Sequence, residues 1–304
     1  MLGKRLLGAA IIISVMLLLV TADYQLGLEK YLGRPGIPIA GLCVLIAGIA
    51  ASELVAMWKR QYPRMRVRLG SIAAAIMTLV SCVPLAWQDY PADCPLGKFG
   101  WSLSGLIIAT VIVFVVEMWS YGRVSEDERG STVNRISHYV FSFSYLLMLF
   151  GFVASHRMIG GNAIGLISII SLIATVKMAD AFAYFVGKSV GRHKLAPNLS
   201  PKKTVEGAIG SIFGGWAAAA IMLYAISPYV FKVEIDKPWW WFLVYGALIT
   251  AAGTMGDFAE SLIKRDAGVK DSSTWLPGLG GILDIADSLI FAAPVSYFLW
   301  AYLK

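Results

Sequence analysis

Charge is scarce in this sequence: Asp, Glu, Lys and Arg make up 15% of its 304 residues, whereas hydrophobic residues make up 58%. The mean hydropathy is +0.69. A soluble domain needs a more polar surface than this composition can supply, so the composition excludes one. It predicts an integral membrane protein.

Cysteine is also scarce, because the chain contains only Cys43, Cys82 and Cys94. Two of these lie in apolar runs and no CxxC pair is present, which excludes a disulfide framework and a cysteine-based metal site. Long linkers and low-complexity tracts are missing as well. The sequence therefore predicts one polytopic domain over residues 1–304.

Long apolar runs dominate what is present. A helix of roughly 17–25 residues crosses a membrane core of about 30 Å. Such runs predict an all-α membrane protein with about nine transmembrane helices. Their approximate bounds are 6–22, 38–57, 70–88, 102–120, 137–155, 162–186, 208–226, 240–259 and 282–302. The first run could instead be a cleaved signal peptide, and that alternative stays open.

Lys and Arg are concentrated in alternate loops, for example 58–69 and 187–204. Cytoplasmic loops of membrane proteins hold the excess of these residues. We therefore expect a cytoplasmic N-terminus and an external C-terminus. The net charge of +7 mostly reflects this topology, so we do not expect nucleic-acid binding.

Several ionisable residues interrupt the cytoplasmic halves of the predicted spans. They are Glu53, Glu117, Lys177, Asp180, Asp257, Glu260, Asp284 and Asp287. Such groups are costly in a bilayer and usually face a bundle interior or a water-filled cavity. Glu53 and Glu117 are explained by snorkelling or by pairing with Lys59 and Arg123 at the membrane rim. Lys177 and Asp180 can form an ion pair or belong to a site.

Asp257, Asp284 and Asp287 are predicted to lie at equal depth near helix ends. One Asp in a first helical turn can simply complement the helix dipole. Three carboxylates at one depth favour a hard cation such as Mg²⁺. A glycine-rich turn also precedes the last helix, whose free N–H groups suit an anion.

The loop over residues 187–210 is rich in cations and includes Lys202 and Lys203. Its Ser200-Pro201 pair is typical of a helix start with Ser200 as N-cap. Cations beside carboxylates favour a metal-bridged phosphate at the lipid–water boundary. The pattern therefore indicates a lipid-modifying phosphotransferase or nucleotidyltransferase.

Residues of about 177–300 resemble the phosphatidate cytidylyltransferases, also called CDP-diacylglycerol synthases. One matching region comprises Ser261–Asp266, Lys270, Asp271, Leu276–Gly278, Gly280, Gly281, Asp284 and Asp287; the other comprises Asp180–Tyr184, Gly187, Arg192–Leu195, Ser200–Thr204, Glu206 and Gly207. The chain departs from the family pattern at Leu279, where the family has His, and at Ile285, where it has Arg. These departures put efficiency or nucleotide preference in question.

The resemblance implies transfer of the cytidylyl group of CTP to phosphatidate, which gives CDP-diacylglycerol and pyrophosphate. It implies a Mg²⁺-dependent site on the cytoplasmic side of a bacterial-type inner membrane, with a second cation left open, and a homodimer. Catalytic helices and loops are then expected in residues 161–304, with helices of unassigned role in 1–160.

Residue roles follow from the same resemblance. Asp257, Asp284 and Asp287 are expected to hold one or two metal ions and, with Lys264, to form the catalytic group. The expected substrate-binding residues are Asp180, Ser200, Lys202, Lys203, Thr204, Arg265, Lys270 and Asp271.

Two other interpretations stay open. One is a CTP-dependent polyprenol or phytol kinase, or an isoprenoid-lipid cytidylyltransferase, and product identity separates these from the first. The other is an ion-coupled transporter, which predicts charges near the bilayer midplane and interrupted helices in paired halves.

Overall fold

The structure is a computed structural model that describes residues 18–25, 36–87, 90–91, 93–121, 131–273 and 280–302. Its long helices are α1 (Ile37–Trp58), α2 (Val67–Ser81), α3 (Gly97–Tyr121), α4 (Ser131–Arg157), α5 (Asn162–Val190), α6 (Val205–Ile221), α7 (Trp241–Asp266) and α8 (Ile282–Tyr302). A 3-10 turn over Val83–Ala86 follows α2, while a π-helical turn over Met222–Ile226 and a short helix over Ser227–Tyr229 extend α6. Strands β1 (Lys194–Ala196) and β2 (Ser200–Thr204) form an antiparallel hairpin.

Seven helical segments of the described residues are long and apolar enough to cross a membrane. They are Ile37–Trp58, Phe99–Tyr121, Ser131–Arg157, Asn162–Val190, Val205–Tyr229, Trp241–Asp266 and Ile282–Tyr302. The predicted all-α membrane fold is thereby confirmed. The count of nine and the orientation of the termini stay predictions, and residues 6–17 of the first predicted span lie outside the described residues.

The span predicted over 70–88 differs from the observed helix. Helix α2 has 15 residues and ends at Ser81. The 3-10 turn that follows contains Pro84, which has no amide hydrogen to donate and disfavours helical geometry in the residue before it. The apolar run therefore continues beyond the point where the α-helix ends.

The chain divides into two compact units. The first unit comprises residues 1–155 and 267–285, and the second comprises 156–266 and 286–304. In the first unit α1 packs on α2 and α2 packs on α3. The sequence-based division at residue 160 stays a prediction.

Polar side chains inside the first unit pair with one another. Arg135 Nη2 lies 2.6 Å from Glu117 Oε2, and both side chains are almost fully buried. The predicted rim partner of Glu117, Arg123, lies outside the described residues. Tyr139 accepts a hydrogen bond from the backbone N–H of Arg66 and donates one to its carbonyl oxygen. These contacts satisfy groups that would be costly to bury alone.

The second unit packs α5 on α6 and α6 on α7. A buried polar network lies among its helices, where the Tyr245 hydroxyl is 2.9 Å from the hydroxyls of both Ser171 and Ser296. The indole N–H of Trp300 donates to Ser171 Oγ. Because these groups satisfy one another, the polar atoms are compatible with an apolar surrounding.

Candidate active site

A cavity of about 350 Å³ lies in the second unit, between α5, α6, α7 and the β hairpin. Apolar side chains such as Val176, Leu195 and Ile249 form part of its wall. Five residues that the sequence predicts for a site also line it: Asp180, Lys202, Lys203, Thr204 and Asp257. The fold therefore brings together residues from two distant stretches of the chain, with polar and apolar surface side by side.

Glycines allow the helices around this cavity to approach closely. A Cβ atom at Gly207 of α6 would lie 2.8 Å from the Ala183 carbonyl oxygen of α5. A Cβ atom at Gly246 of α7 would lie 2.8 Å from the backbone of Gly215 in α6. Small residues at such crossings let helix backbones pack directly in membrane proteins. This packing fixes α5, α6 and α7 around the cavity.

The hairpin pairs Lys194 with Thr204 and Ala196 with Ser200. The predicted helix start at Ser200 is therefore wrong, because Ser200 lies in a strand. Helix α6 begins at Val205, and Thr204 is its N-cap, whose hydroxyl accepts a hydrogen bond from the Gly207 N–H. The Ser-Pro pair is compatible with a helix N-cap and with a β-strand, and pairing with the neighbouring strand selects the β-strand.

The Glu206 carboxylate stabilises the residues just before the hairpin. Glu206 accepts hydrogen bonds from the backbone N–H groups of Arg192 and His193. Its Oε1 atom lies 2.6 Å from His193 Nδ1. The strands that carry Lys202 and Lys203 are thus tied to the first turn of α6.

Lys203 extends from β2 to a carboxylate on α7. Its Nζ atom lies 2.5 Å from Asp257 Oδ2, and each side chain is only partly exposed. The same ammonium group lies 4.4 Å from the ring centre of Phe258, a cation–π distance. Ser261 Oγ donates a hydrogen bond of 3.4 Å to the other Asp257 oxygen, as the predicted helical face implies.

Lys177 and Asp180 form an ion pair with an Nζ–Oδ2 distance of 3.6 Å. The pair is not buried, because the side chains are 42% and 47% exposed. Asp180 also lines the cavity. An accessible pair of this kind can exchange partners when a ligand binds.

Asp287 lies on α8 and is half-buried. It interacts electrostatically with Asp257, Asp180 and Lys177. Helices α7 and α8 meet closely here, since a Cβ atom at Gly256 would lie 2.5 Å from the Asp287 carbonyl oxygen. Within the second unit, three predicted carboxylates and one lysine therefore share a local electric field.

Lys264 has a buried partner that the sequence did not identify. Its Nζ atom lies 2.5 Å from Glu260 Oε2, and the two side chains are 12% and 1% exposed. Glu260 thus orients the ammonium group predicted to be catalytic, one helical turn away. The neighbouring Arg265 is exposed at the end of α7.

Asp284 lies in the first unit, at the start of α8. Its Oδ2 atom accepts hydrogen bonds from the backbone N–H groups of Ser272 and Gly281 and from the Ser272 hydroxyl, at 3.0, 2.8 and 2.6 Å. Glu53 accepts from the next two backbone N–H groups. The predicted anion site at this helix start is therefore taken up by the protein's own carboxylates. The sequence alone does not reveal this role of Glu53, because an isolated glutamate near a span end equally suits the membrane rim.

The remaining predicted residues differ in their exposure. Lys270 and Asp271 are exposed in the first unit, and Ser200 is half-buried in β2. Ile285 is half-buried, directly after Asp284. Leu279 lies outside the described residues, so its departure from the family pattern has no structural account.

Among the described residues, no group of three or more His, Cys, Asp and Glu side chains is arranged to hold a metal ion. The donor chemistry nevertheless suits Mg²⁺, which prefers carboxylate oxygens. The contact of Asp257 with the Lys203 ammonium group also shows that this carboxylate accepts a cation. The metal roles of Asp257, Asp284 and Asp287 stay predictions.

A family model described as the cytidylyltransferase family matches residues 4–303 of the chain. The match covers both sequence regions that contribute to the cavity.

Individual relatives give the same result. The phosphatidate cytidylyltransferase of Bacillus subtilis is 31% identical over 266 residues, which cover 87% of this chain and 89% of that protein. The one of Chlamydia muridarum is 30% identical over 256 residues, which cover 83% and 79%. The one of Chlamydia trachomatis is 38% identical over 153 residues, which cover 50% of this chain and 48% of that protein.

Proposed function

Since the chain belongs to the cytidylyltransferase family, we propose that it transfers the cytidylyl group of CTP to phosphatidate. The products are CDP-diacylglycerol and pyrophosphate. Relatives that carry the name phosphatidate cytidylyltransferase support this substrate pair.

The cavity of the second unit is the observation that carries the proposal. It combines two carboxylates, Asp180 and Asp257, with the ammonium groups of Lys202 and Lys203. Its apolar wall suits an acyl-bearing substrate, and its charged wall suits a nucleoside triphosphate with a metal ion. A cavity with only one of these surfaces would not serve both substrates.

The reaction forms one bond and breaks one. A phosphate oxygen of phosphatidate attacks the α-phosphorus of CTP, and the bond from that phosphorus to the bridging oxygen of the β-phosphate breaks. The electron pair leaves on pyrophosphate. Because the attacking phosphate is already an anion near neutral pH, no side chain has to remove a proton first. The protein mainly has to bring two polyanions together and stabilise charge on the leaving group.

The chain's own cations perform that task in this proposal. Lys202 and Lys203, which lie on the hairpin, bind phosphate oxygens of the substrates. Thr204 and Ser200 donate hydrogen bonds to the same phosphates. Lys264, held by Glu260, and Arg265 bind phosphates from the end of α7. Lys270 binds phosphate, and Asp271 orients Lys270 or binds the ribose.

Mg²⁺ would be held by Asp257, Asp284 and Asp287, with Asp180 as a further contact. When bound, the ion supplies charge neutralisation on the phosphate oxygens. The Lys203 ammonium group, which pairs with Asp257 in this structure, would in this proposal bind phosphate. We propose that the site faces the cytoplasm, because Lys and Arg are concentrated in the loops predicted on that side. Homodimer formation stays a prediction from the family resemblance.

The experiment is an assay of purified protein in detergent with phosphatidate, Mg²⁺ and CTP labelled at the α-phosphorus. We expect a labelled lipid that migrates as CDP-diacylglycerol and an equal amount of pyrophosphate. Transfer of label only from CTP labelled at the γ-phosphorus, with release of CDP, would instead identify a lipid kinase. Absence of any labelled lipid would contradict both enzymes.

A further inference from the structure

Glu53 joins α1 to the first turn of α8 inside the first unit. Its Oε1 atom accepts a hydrogen bond of 3.1 Å from the Ile282 N–H, and its Oε2 atom accepts one of 2.9 Å from the Leu283 N–H. Glu53 is only 5% exposed. The first N–H groups of a helix have no partner within the helix and carry partial positive charge, so a buried carboxylate at this position is stabilised by them.

Ser272 links this cap to Asp284. Its hydroxyl oxygen lies 2.6 Å from Asp284 Oδ2 and 3.2 Å from Glu53 Oε2. A hydroxyl group has one proton to donate, and the shorter contact is the one to Asp284. The backbone N–H of Ser272 also donates to Asp284. Ser272 therefore contacts both carboxylates, so a movement of Glu53 would be transmitted through Ser272 to Asp284.

Two glycines let the backbone approach these side chains closely. A Cβ atom at Gly281 would collide with Ser272 Oγ and with both carboxylate oxygens of Glu53. Gly280 has φ of +85°, and a Cβ atom there would collide with the Asp284 carboxylate. Glycine is the residue that tolerates both the left-handed backbone and such close approach. The glycines thus serve the protein's own carboxylates.

We propose that Glu53 is a positioning residue for Asp284. It fixes the start of α8 and, through Ser272, the orientation of the Asp284 carboxylate. The inference rests on the proposed function, because only there does Asp284 hold Mg²⁺. It also gives α1, in the part of the chain without an assigned role, a specific contribution to the reaction.

The first test needs no catalysis. Hydrogen–deuterium exchange of the intact protein in detergent follows the backbone amides of residues 281–284 in wild type and Glu53→Gln. We expect exchange at Ile282 and Leu283 to be about tenfold faster in the variant. The glutamine side chain has one oxygen and one NH₂ group, so its NH₂ group would face a backbone N–H and could not accept a hydrogen bond from it. Equal exchange rates would overturn the contact.

The second test measures the Mg²⁺ concentration that gives half-maximal CDP-diacylglycerol formation. Residues that orient a metal ligand typically change metal affinity by about 10–100-fold when mutated. We expect Glu53→Gln to raise the half-saturating Mg²⁺ concentration at least about tenfold, with kcat at saturating Mg²⁺ largely retained. Glu53→Asp, which keeps the charge, should restore part of the affinity.

Glu117→Gln is the matched control, because Glu117 is another buried, paired carboxylate of the first unit. We expect it to lower the melting temperature without changing the Mg²⁺ requirement. If Glu53→Gln behaves in the same way, Glu53 is merely structural and the proposal is wrong. Ser272→Ala provides a second variant should Glu53→Gln fail to fold, and it must change the Mg²⁺ requirement in the same direction. A wild-type protein that makes no CDP-lipid would overturn the proposed function, whereas the exchange experiment would still decide the role of Glu53 at the helix start.

Discussion

Lys203 Nζ lies 2.5 Å from Asp257 Oδ2, across the cavity wall between β2 and α7. A lysine predicted to bind phosphate thus neutralises a carboxylate predicted to bind metal. Both side chains are about a quarter exposed, at 27% and 28%, so each can still be reached by a ligand. In the proposed complex Asp257 would hold Mg²⁺ and Lys203 would bind phosphate, so two attractive contacts would replace the one between them.

Lys203→Ala should weaken substrate binding. Loss of one charge-assisted contact to phosphate costs about 1.5–3 kcal/mol, so we expect the KM for CTP or phosphatidate to rise about tenfold or more. Steady-state kinetics with each substrate varied in turn measures this. Lys232→Ala removes a cation of the same unit that does not line the cavity, and it should leave both constants unchanged. Identical KM values for Lys203→Ala and wild type would show that the hairpin does not bind phosphate.

Asp257→Asn and Asp287→Asn should each reduce CDP-diacylglycerol formation about a hundredfold or more, because each removes charge from the proposed metal site. The substitutions are nearly isosteric, so size-exclusion profiles should stay like wild type. Asp236→Asn, in the loop before α7, is the control and should keep full activity. Near-normal turnover in both variants would remove the metal assignment.

Glu260→Gln should destabilise the second unit. It leaves the Lys264 ammonium group, only 12% exposed, without its opposite charge, and breaking a buried ion pair from one side costs about 3–5 kcal/mol. We expect a clear fall in melting temperature in detergent. The double variant Glu260→Gln/Lys264→Met removes both charges and should melt closer to wild type. A double variant that is no more stable than the single one would argue against the pair.

Gly246→Ala should destabilise the contact of α7 with α6. Its Cβ atom would lie 2.8 Å from the Gly215 backbone, and forcing such contacts apart typically costs about 1–3 kcal/mol. Gly41→Ala is the matched control, since a Cβ atom at Gly41 in α1 would meet no atom of the described residues within 4 Å. Comparison of the two melting temperatures tests the packing. Equal values would show that α6 and α7 have room to separate.

Much of the fold could be predicted from the sequence, because apolar runs of membrane-spanning length are a strong signal. The sequence also predicts that the cavity residues Lys203 and Asp257 belong to one site, since both lie in stretches that resemble one family. The errors are local. The helix start predicted at Ser200 is wrong, because Ser200 pairs with Ala196 in a hairpin. That pairing depends on the turn between the two strands, which the Ser-Pro pattern does not reveal.

Glu53 could not have been assigned from its neighbours in sequence. Its partners, Ile282 and Leu283, are backbone N–H groups more than two hundred positions away, and a backbone donor leaves no mark in the residue type. The glycines before α8 carried part of the signal. In the sequence they indicate space for a ligand, whereas at Gly281 the structure places the Glu53 carboxylate in that space.

Thr204 ends strand β2 and caps α6 at the same time. Lys202 and Lys203 are therefore attached directly to the end of a helix, without an intervening flexible loop. An outward movement of the hairpin that carries Thr204 with it would break the Thr204 bond to Gly207 and remove the cap from the first turn of α6. Such an opening of the cavity would cost the free energy of the α6 N-cap. That cost favours the closed position, in which Lys202 and Lys203 line the cavity.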